Sequence, residues 1–355
     1  MKILFVKLGA IGDIVHTLPA LAAVRNAFPA AEISWVAETR SAEILRGNLL
    51  IDHLIEIDTR SIRRRRPVDE LIGELRVQAR GLRRNKYDIA LDFQGLLKSA
   101  VIAKLSGAKR RVGFDRRSLR EPSSRLLMTQ TVEVPRDINV IHKNLALAAG
   151  ALEIVVPGGD LEFPISVNPE HVREAEAVRT AIGGDFAILN PGGGWVTKLW
   201  PAERFGELAE MLWSRLGIAS AVSTGPKEAH LAERVRSKLR DAKVVFAGPS
   251  LKGFYELSKK AKVYIGGDTG PTHLAVAAGT PVVGIFGPTE WWRNGSPFSD
   301  DICVERKDIG CRVDCHRRRC SNWICMEITA ETVFNAVKKR LESQRDRKRG
   351  HVVNL

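Results

Sequence analysis

The residues whose types and spacing could do chemistry begin with Gly266-Gly267-Asp268-Thr269-Gly270-Pro271-Thr272-His273. An apolar run at 261–265 precedes them, and a small-residue stretch follows until Gly279. Strand, glycine turn and helix N-terminus in that order present unpaired N–H groups and a positive dipole end to an anion, phosphate above all. Thr269 and Thr272 add hydroxyl donors, and His273 adds a ring nitrogen that can donate to a phosphate oxygen. Asp268 would repel a phosphate; it suits sugar hydroxyls or loop N–H groups. The plainer reading makes it the cap of a tight strand–helix turn.

Three further stretches carry usable groups. Residues 7–13, Lys-Leu-Gly-Ala-Ile-Gly-Asp, put Gly12 and Asp13 after a first strand. Residues 190–198 bring Gly193, Gly194 and Lys198, and residues 225–228 bring Glu228. A carboxylate, a phosphate cradle and a lysine suit an activated phosphate ester as donor and a hydroxyl as acceptor. Asp13 would be the general base, while Lys198 and the helix N-terminus stabilise charge on the departing diphosphate. Against this stand a helix cap at Asp13 and a surface lysine at 198.

The elements that must position these groups alternate. Apolar strands are expected at 2–6, 32–36, 53–57, 88–92, 111–114 and 131–134. A second series follows at 186–189, 218–223, 243–246, 261–265 and 282–286. Helical stretches at 68–84, 96–105, 138–150, 202–216, 227–240 and 329–345 lie among them. Pro19 is uncomfortable deep in a helix, so the first regular helix should start near Thr17 and leave Asp13 in the loop or first turn. This pattern predicts an α/β fold with two Rossmann-like parallel-sheet domains, 1–165 and 166–328, and a C-terminal helix with a basic tail, 329–355. If the two halves face one another, the functional groups gather at a cleft between strand carboxyl ends.

Composition narrows the partners. The 355 residues carry a formal charge of +14, and residues 60–125 hold 19 Lys and Arg against 7 Asp and Glu. Such a patch implies an anionic partner. Arg60 and the four consecutive arginines 63–66 stand out, since adjacent guanidinium groups repel without one. No apolar run approaches the ~18 residues needed to span a bilayer, and the N-terminus lacks a cleavage site, so a cytoplasmic protein is expected. Cys303, Cys311, Cys315, Cys320 and Cys325 cluster late. Reduced, partly buried thiols are the expectation, with metal binding left open.

At these residues the chain also resembles a known family. The segment from Lys7 through Asp13 to His16 and Pro19 resembles the opening of bacterial lipopolysaccharide heptosyltransferases, glycosyltransferase family 9. Lys198-Leu-Trp200-Pro201 and Asp268-Thr269-Gly270-Pro271-Thr272-His273 resemble its two donor-site motifs. Asp92-Phe-Gln94-Gly95, Lys98-Ser99, Arg120-Glu121-Pro122 and Ile62-Arg63-Arg64 are most like the branch that adds the first heptose to Kdo2-lipid A. The resemblance implies a GT-B fold and an inverting transfer from ADP-heptose, with no metal and no cofactor. It also implies a peripheral position on the anionic cytoplasmic face of the inner membrane. Asp13 would be the base and Lys198 a donor contact. Gly193, Gly194, Asp268, Thr269, Gly270, Thr272 and His273 would hold sugar and diphosphate, and Glu228 the ribose. Gly12, Arg60, Arg63, Arg64, Gln94, Lys98 and Arg120 would face the acceptor. Two departures are visible. Gly193 and Gly194 replace hydroxyl residues, so backbone N–H groups must serve. The cysteine segment is more like that of a sister branch, the second heptosyltransferase, whose acceptor differs.

A nicotinamide dehydrogenase could use Glu38 after the second strand, but Gly9-Ala-Ile-Gly12 lacks the required glycine spacing. A nucleic-acid-binding protein would explain the charge and not the cradle; no recognised binding module is present, so no nucleic-acid partner is expected. The arginine run supplies a direct test. Guanidinium forks match the carboxylates and phosphates of such an acceptor, and anionic lipid attracts each nearby basic residue by about 1 kcal/mol. Replacing arginines 63–66 with serine should raise the acceptor KM and weaken binding to anionic vesicles, with the donor KM unchanged. High salt should mimic the variant. Loss of ADP binding with an unchanged acceptor KM would defeat the assignment.

Overall fold

The computed structural model describes residues 1–58, 81–156, 161–225, 227–311, 315 and 317–352. The chain forms two units, Met1–Ser166 and Val167–Leu355. Arg60 and the arginines 63–66 lie outside the described residues, as does most of the helix expected at 68–84.

The first unit is built on a parallel six-stranded sheet. Its strands are β1 (Lys2–Val6), β2 (Glu32–Glu38), β3 (His53–Ile57), β4 (Ile89–Asp92), β5 (Arg110–Phe114) and β6 (Gln130–Val132), in the spatial order β3-β2-β1-β4-β5-β6. The central strands β1 and β4 are buried over nearly their whole length because a parallel strand is covered on both faces. Phe5 of β1 stacks on Trp35 and Phe93, with ring centroids 5.3 and 5.0 Å away. The order reverses between β1 and β4. Everything placed at the carboxyl ends of those two strands therefore meets in one crevice.

After β1 the chain departs from the expected path. A one-turn helix, α1 (Ile11–Val15), holds Asp13, and α2 (Leu18–Ala27) follows. Thr17 is the N-cap of α2, and Pro19 sits in its first turn, where its missing N–H costs nothing. Asp13 belongs to a short helix of its own. Helices α3 (Leu97–Leu105) and α4 (Val140–Leu152) follow later in this unit. Asn144 of α4 reaches back to donate to the carbonyl of His16 and to Thr17 Oγ1, both at 3.0 Å.

The second unit repeats the plan. Helix α5 (Pro169–Ile182) opens it, capped by Asn168, whose Oδ1 accepts from the N–H groups of Glu170 and His171. Its strands are β7 (Phe186–Asn190), β8 (Ala219–Ser223), β9 (Val244–Ala247), β10 (Val263–Gly267), β11 (Val282–Phe286) and β12 (Ile302–Glu305), in the spatial order β12-β11-β10-β7-β8-β9. Counted along the chain this is the same winding as the first sheet, with its reversal between β7 and β10. Strand β12 has no counterpart among the expected strands. It is a four-residue edge strand, only partly buried, in register with β11 from Val283↔Ile302 to Phe286↔Glu305.

Helices α6 (Ala202–Leu216), α7 (Ala229–Arg236), α8 (Leu251–Ser258), α9 (Gly270–Ala277), α10 (Trp291–Asn294) and α11 (Ala330–Val352) cover this sheet and its ends. Helix α7 is shorter than the 227–240 stretch expected. Helix α11 is part of the second unit, not a separate tail, because Ala330, Val333, Phe334 and Val337 join the core shared with Phe205 and Ile285. Trp200 Nε1 and Arg204 donate to the Ile328 carbonyl and fix its approach. Among the described residues no helix is long and apolar enough to cross a membrane.

Deleting a buried phenyl ring costs about 3–5 kcal/mol. Phe334→Ala should therefore lower the unfolding free energy of the second unit by that order, read from its denaturant or thermal unfolding curve. A loss below about 1 kcal/mol would show that α11 merely lies on the surface.

Candidate active site

In the second unit the site grows from the carboxyl ends of β7 and β10. Gly266 and Gly267, expected in a turn, are the last two residues of β10, and α9 starts as early as Gly270. A side chain at 267 would meet the Lys198 carbonyl at 3.0 Å, so glycine lets the two loops touch. Asp268 lies between them, 8% exposed. Its Oδ2 accepts from Lys198 Nζ at 2.6 Å, and its Oδ1 lies 3.3 Å from His273 Nε2. Asn294 Nδ2 stands 3.5 Å from the same carboxylate. Burial opposes charge on Asp268, but the His273 hydrogen bond and the Lys198 ammonium outweigh it and hold the carboxyl well below the usual range. Asp268 is thus the anion that gathers the loop's cationic groups, and it does not cap α9.

Thr269 is the N-cap of α9 and makes no side-chain capping bond. Thr272 differs from the expectation of a phosphate-facing hydroxyl. It is fully buried, donates to the Gly267 carbonyl and stands 2.9 Å from the Tyr264 hydroxyl. The early helix start turns its side chain toward the sheet. Burial pushes the Tyr264 phenol up, so it stays protonated and can donate to Thr272.

The loop after β7 carries Gly193, Gly194 and Lys198. Glu228 ties it to the loop after β8: its Oε1 accepts the Gly193 N–H at 3.0 Å and its Oε2 the Gly225 N–H at 2.7 Å. The Gly193 N–H, expected to serve a ligand, is occupied by this carboxylate. A Cβ on Gly192 would lie 2.1 Å from Glu228 Oε2, so the bridge requires glycine there. Gly194 is exposed. Sequence reasoning did not single out Trp195, whose ring lies 4.4 Å from Lys198 Nζ and 4.8 Å from the Arg318 guanidinium. A tryptophan in a glycine loop three residues before a lysine was the available signal.

In the first unit the corresponding ends are those of β1 and β4. Asp13 Oδ2 accepts the Ala10 N–H at 2.9 Å, so it does cap α1, and it remains partly exposed. Gly12 beside it is buried. Gln94 Oε1 accepts from the N–H groups of Leu8 and Gly9, at 3.1 and 3.4 Å, and so supports the loop that carries Asp13. Lys7, buried beneath, donates to the Phe93 carbonyl at 2.9 Å. Burial lowers its pKa, against the pull of Asp13 and Asp92. Asp92 is pushed up to about 6 by burial, despite hydrogen bonds from Gly95, Ser99 and Gln94. Lys98 pairs with the buried Glu38 at 3.3 Å, and Arg120 is exposed.

The cysteines show no disulfide among the described residues. Cys311, Cys315, Cys320 and Cys325 line one cavity together with Thr197 and Trp323.

With this geometry the chain compares closely with known proteins. The model of Glycosyltransferase family 9 (heptosyltransferase) matches residues 76–324, and the chain belongs to that family. It is a glycosyltransferase of the heptosyltransferase type. A Pseudomonas aeruginosa protein named lipopolysaccharide heptosyltransferase 1 is 32% identical over 294 residues, 81% of this chain and 79% of that protein. The Escherichia coli K12 protein of the same name is 26% identical over 291 residues, 82% of this chain and 89% of that one. The solved structure of E. coli heptosyltransferase WaaC with ADP-2-deoxy-2-fluoro heptose has a TM-score of 0.73 at 25% identity, covering 97% of this chain and all of the other. The fold is accordingly of the GT-B type, with a Rossmann-like sheet in each unit.

Asp268→Asn should destabilise the second unit by about 3–5 kcal/mol at neutral pH, since it strands the Lys198 charge. A carboxyl with a depressed folded pKa adds stability above its unfolded value, near 3.8, and loses it as pH falls below. The gap between wild type and variant should stay constant from about pH 5 to 8 and narrow progressively as pH falls below about 4. A gap independent of pH down to 3 would mean that the charge of Asp268 is not what matters.

Proposed function

We propose that this enzyme transfers L-glycero-D-manno-heptose from ADP-heptose to a Kdo sugar of Kdo2-lipid A, the reaction of heptosyltransferase I. The observation that carries the reading is the meeting of Lys198, Asp268 and His273 at the sheet reversal between β7 and β10, where α9 begins. Open α/β sheets bind ligands at such reversals, and a helix N-terminus favours a phosphate. The relatives' names and the ADP-heptose analogue in the WaaC structure support the donor and the sugar class.

In this mechanism the diphosphate lies against Lys198 and the first turn of α9, where Thr269 and Gly270 offer donors. Asp268 keeps Lys198 and His273 oriented and faces sugar hydroxyls. Glu228, fixed by two backbone N–H groups, retains oxygen lone pairs for ribose hydroxyls. Asp13 takes the proton of the acceptor hydroxyl as that oxygen attacks the anomeric carbon, and ADP leaves from the opposite face with inversion. Charge developing on ADP is met by the ammonium and the helix end. Gly12, Gln94, Lys98 and Arg120 of the first unit, with Arg60, Arg63 and Arg64, receive the acidic acceptor. The enzyme then works from the cytoplasmic face of the inner membrane, held by anionic lipid. The second reading, a family 9 transferase acting on a heptose-bearing acceptor, rests on the cysteine segment.

Purified protein incubated with ADP-heptose and Kdo2-lipid A should yield a product heavier by one heptose, read by mass spectrometry. A product appearing only with an already heptosylated acceptor would favour the second reading. Asp13→Asn should keep ADP affinity and lose about 10²–10⁴-fold in rate. A variant with more than half the wild-type rate would leave Asp13 as a helix cap alone. Calorimetry should rank ADP above UDP and GDP, and equal affinities would sink the donor assignment.

A further inference from the structure

We propose that Cys311, Cys315, Cys320 and Cys325 form a tetrathiolate metal site, for Zn2+ or Fe2+, that clamps the segment backing the Lys198 loop. The first 302 residues contain no cysteine, and these four follow in the spacing C-x3-C-x4-C-x4-C. All four line a single cavity. Cysteines that merely fill a core are buried. Here Cys311 and Cys320 are exposed and Cys315 and Cys325 only half-buried, so packing does not account for them. Four sulfur ligands select a tetrahedral zinc or iron ion.

Charge complements the set. A divalent ion with four thiolates carries two negative charges, and the three arginines 317–319 follow within the same loop. As placed, no three or more His, Cys, Asp or Glu side chains among the described residues are assembled to hold an ion. Thiolate loops close on their metal as it binds, because four S–metal bonds form while four protons leave, and the thiols have no cause to converge beforehand. The site therefore couples to local folding.

The segment also touches the donor loop. Thr197 Oγ1 donates to the Arg317 carbonyl at 2.6 Å, and Trp323 Nε1 donates to the Thr197 carbonyl at 3.0 Å. Arg318 and Lys198 approach the same Trp195 ring. An ion that fixes residues 311–325 fixes the turn that presents Lys198.

The test is elemental analysis of the full chain, produced without a histidine tag, alongside Cys315→Ser, Cys320→Ser and Cys303→Ser. Wild type and Cys303→Ser should carry one ion per chain, and the two site variants less than a tenth of that. Visible absorption after oxidation identifies iron; a colourless protein with one equivalent identifies zinc. If the site variants fail to fold, wild type still decides: a mercurial reagent should release the ion in step with four thiols. Wild type holding less than a tenth of an equivalent, and gaining none from added Zn2+, would overturn the proposal, as would a full equivalent in Cys315→Ser. The metal-free chain should bind ADP several-fold more weakly, the one arm that rests on the donor reading. Equal ADP affinity with and without the ion would overturn the clamp. If the loaded protein bound no ADP at all, the donor reading would fail while the metal count stood.

Discussion

Lys198 and Asp268 meet at 2.6 Å with side chains only 14% and 6% exposed, and the second unit's site is arranged about that pair. Neither charge has enough water around it to stand alone, and breaking such a pair costs more than forming it gains. The loops after β7 and β10 must therefore stay in contact, which explains Gly267 against the Lys198 carbonyl and the position of Asn294 beside the carboxylate. A lysine held by a carboxylate is also pre-aimed. In the proposed reaction an arriving diphosphate would add a second anion to an ammonium already in place, with His273 on the other carboxylate oxygen of Asp268.

The first unit meets the same topological situation with a different electrostatic answer. Asp92, at the end of β4, takes hydrogen bonds from Gln94, Gly95 and Ser99, yet burial carries its pKa up to about 6. Lys7 is buried beside it and is itself pushed toward neutrality. These groups form a stiff floor, with Gln94 binding the N–H groups of Leu8 and Gly9. Asp13, one turn further on, stays partly exposed and spends one oxygen on the Ala10 N–H. A cap and a base are compatible roles for one carboxylate, because its remaining lone pairs are available to an acceptor hydroxyl.

Much of this was legible before the structure. Apolar runs such as Val282–Phe286 and Phe186–Asn190 announce parallel strands because both faces are covered. Asn168-Pro169 and Thr17 with Pro19 announce helix starts. Strand β12 was not legible: Ile302–Glu305 is short, partly buried and paired on one side only, so it has neither a long apolar run nor clean alternation. At the site, glycines and charged residues at strand ends were readable as types, but their partners were not. Lys198 and Asp268 are 70 residues apart, and Gly193 and Glu228 are 35 apart; only the winding of the sheet brings them together. Thr272 shows the converse failure, a hydroxyl correctly placed near a phosphate-type turn and then consumed by the Gly267 carbonyl.

The two carboxylate strategies fit the division of labour proposed for the reaction. A donor diphosphate needs a fixed positive field, and a buried anion is the means of holding a lysine and a histidine in a small space without mutual repulsion. Asp268, kept ionised, meets that need. The acceptor base of the proposed reaction needs free lone pairs turned to the acceptor hydroxyl, hence a carboxylate not locked in an ion pair. In that proposal Asp13 would meet this need, being partly exposed on the one-turn helix α1 with one oxygen engaged by the Ala10 N–H. With the environments exchanged, both proposed roles would be lost: a carboxylate locked against a buried lysine offers no lone pair to an acceptor hydroxyl, and an exposed Asp268 could not hold Lys198 in place.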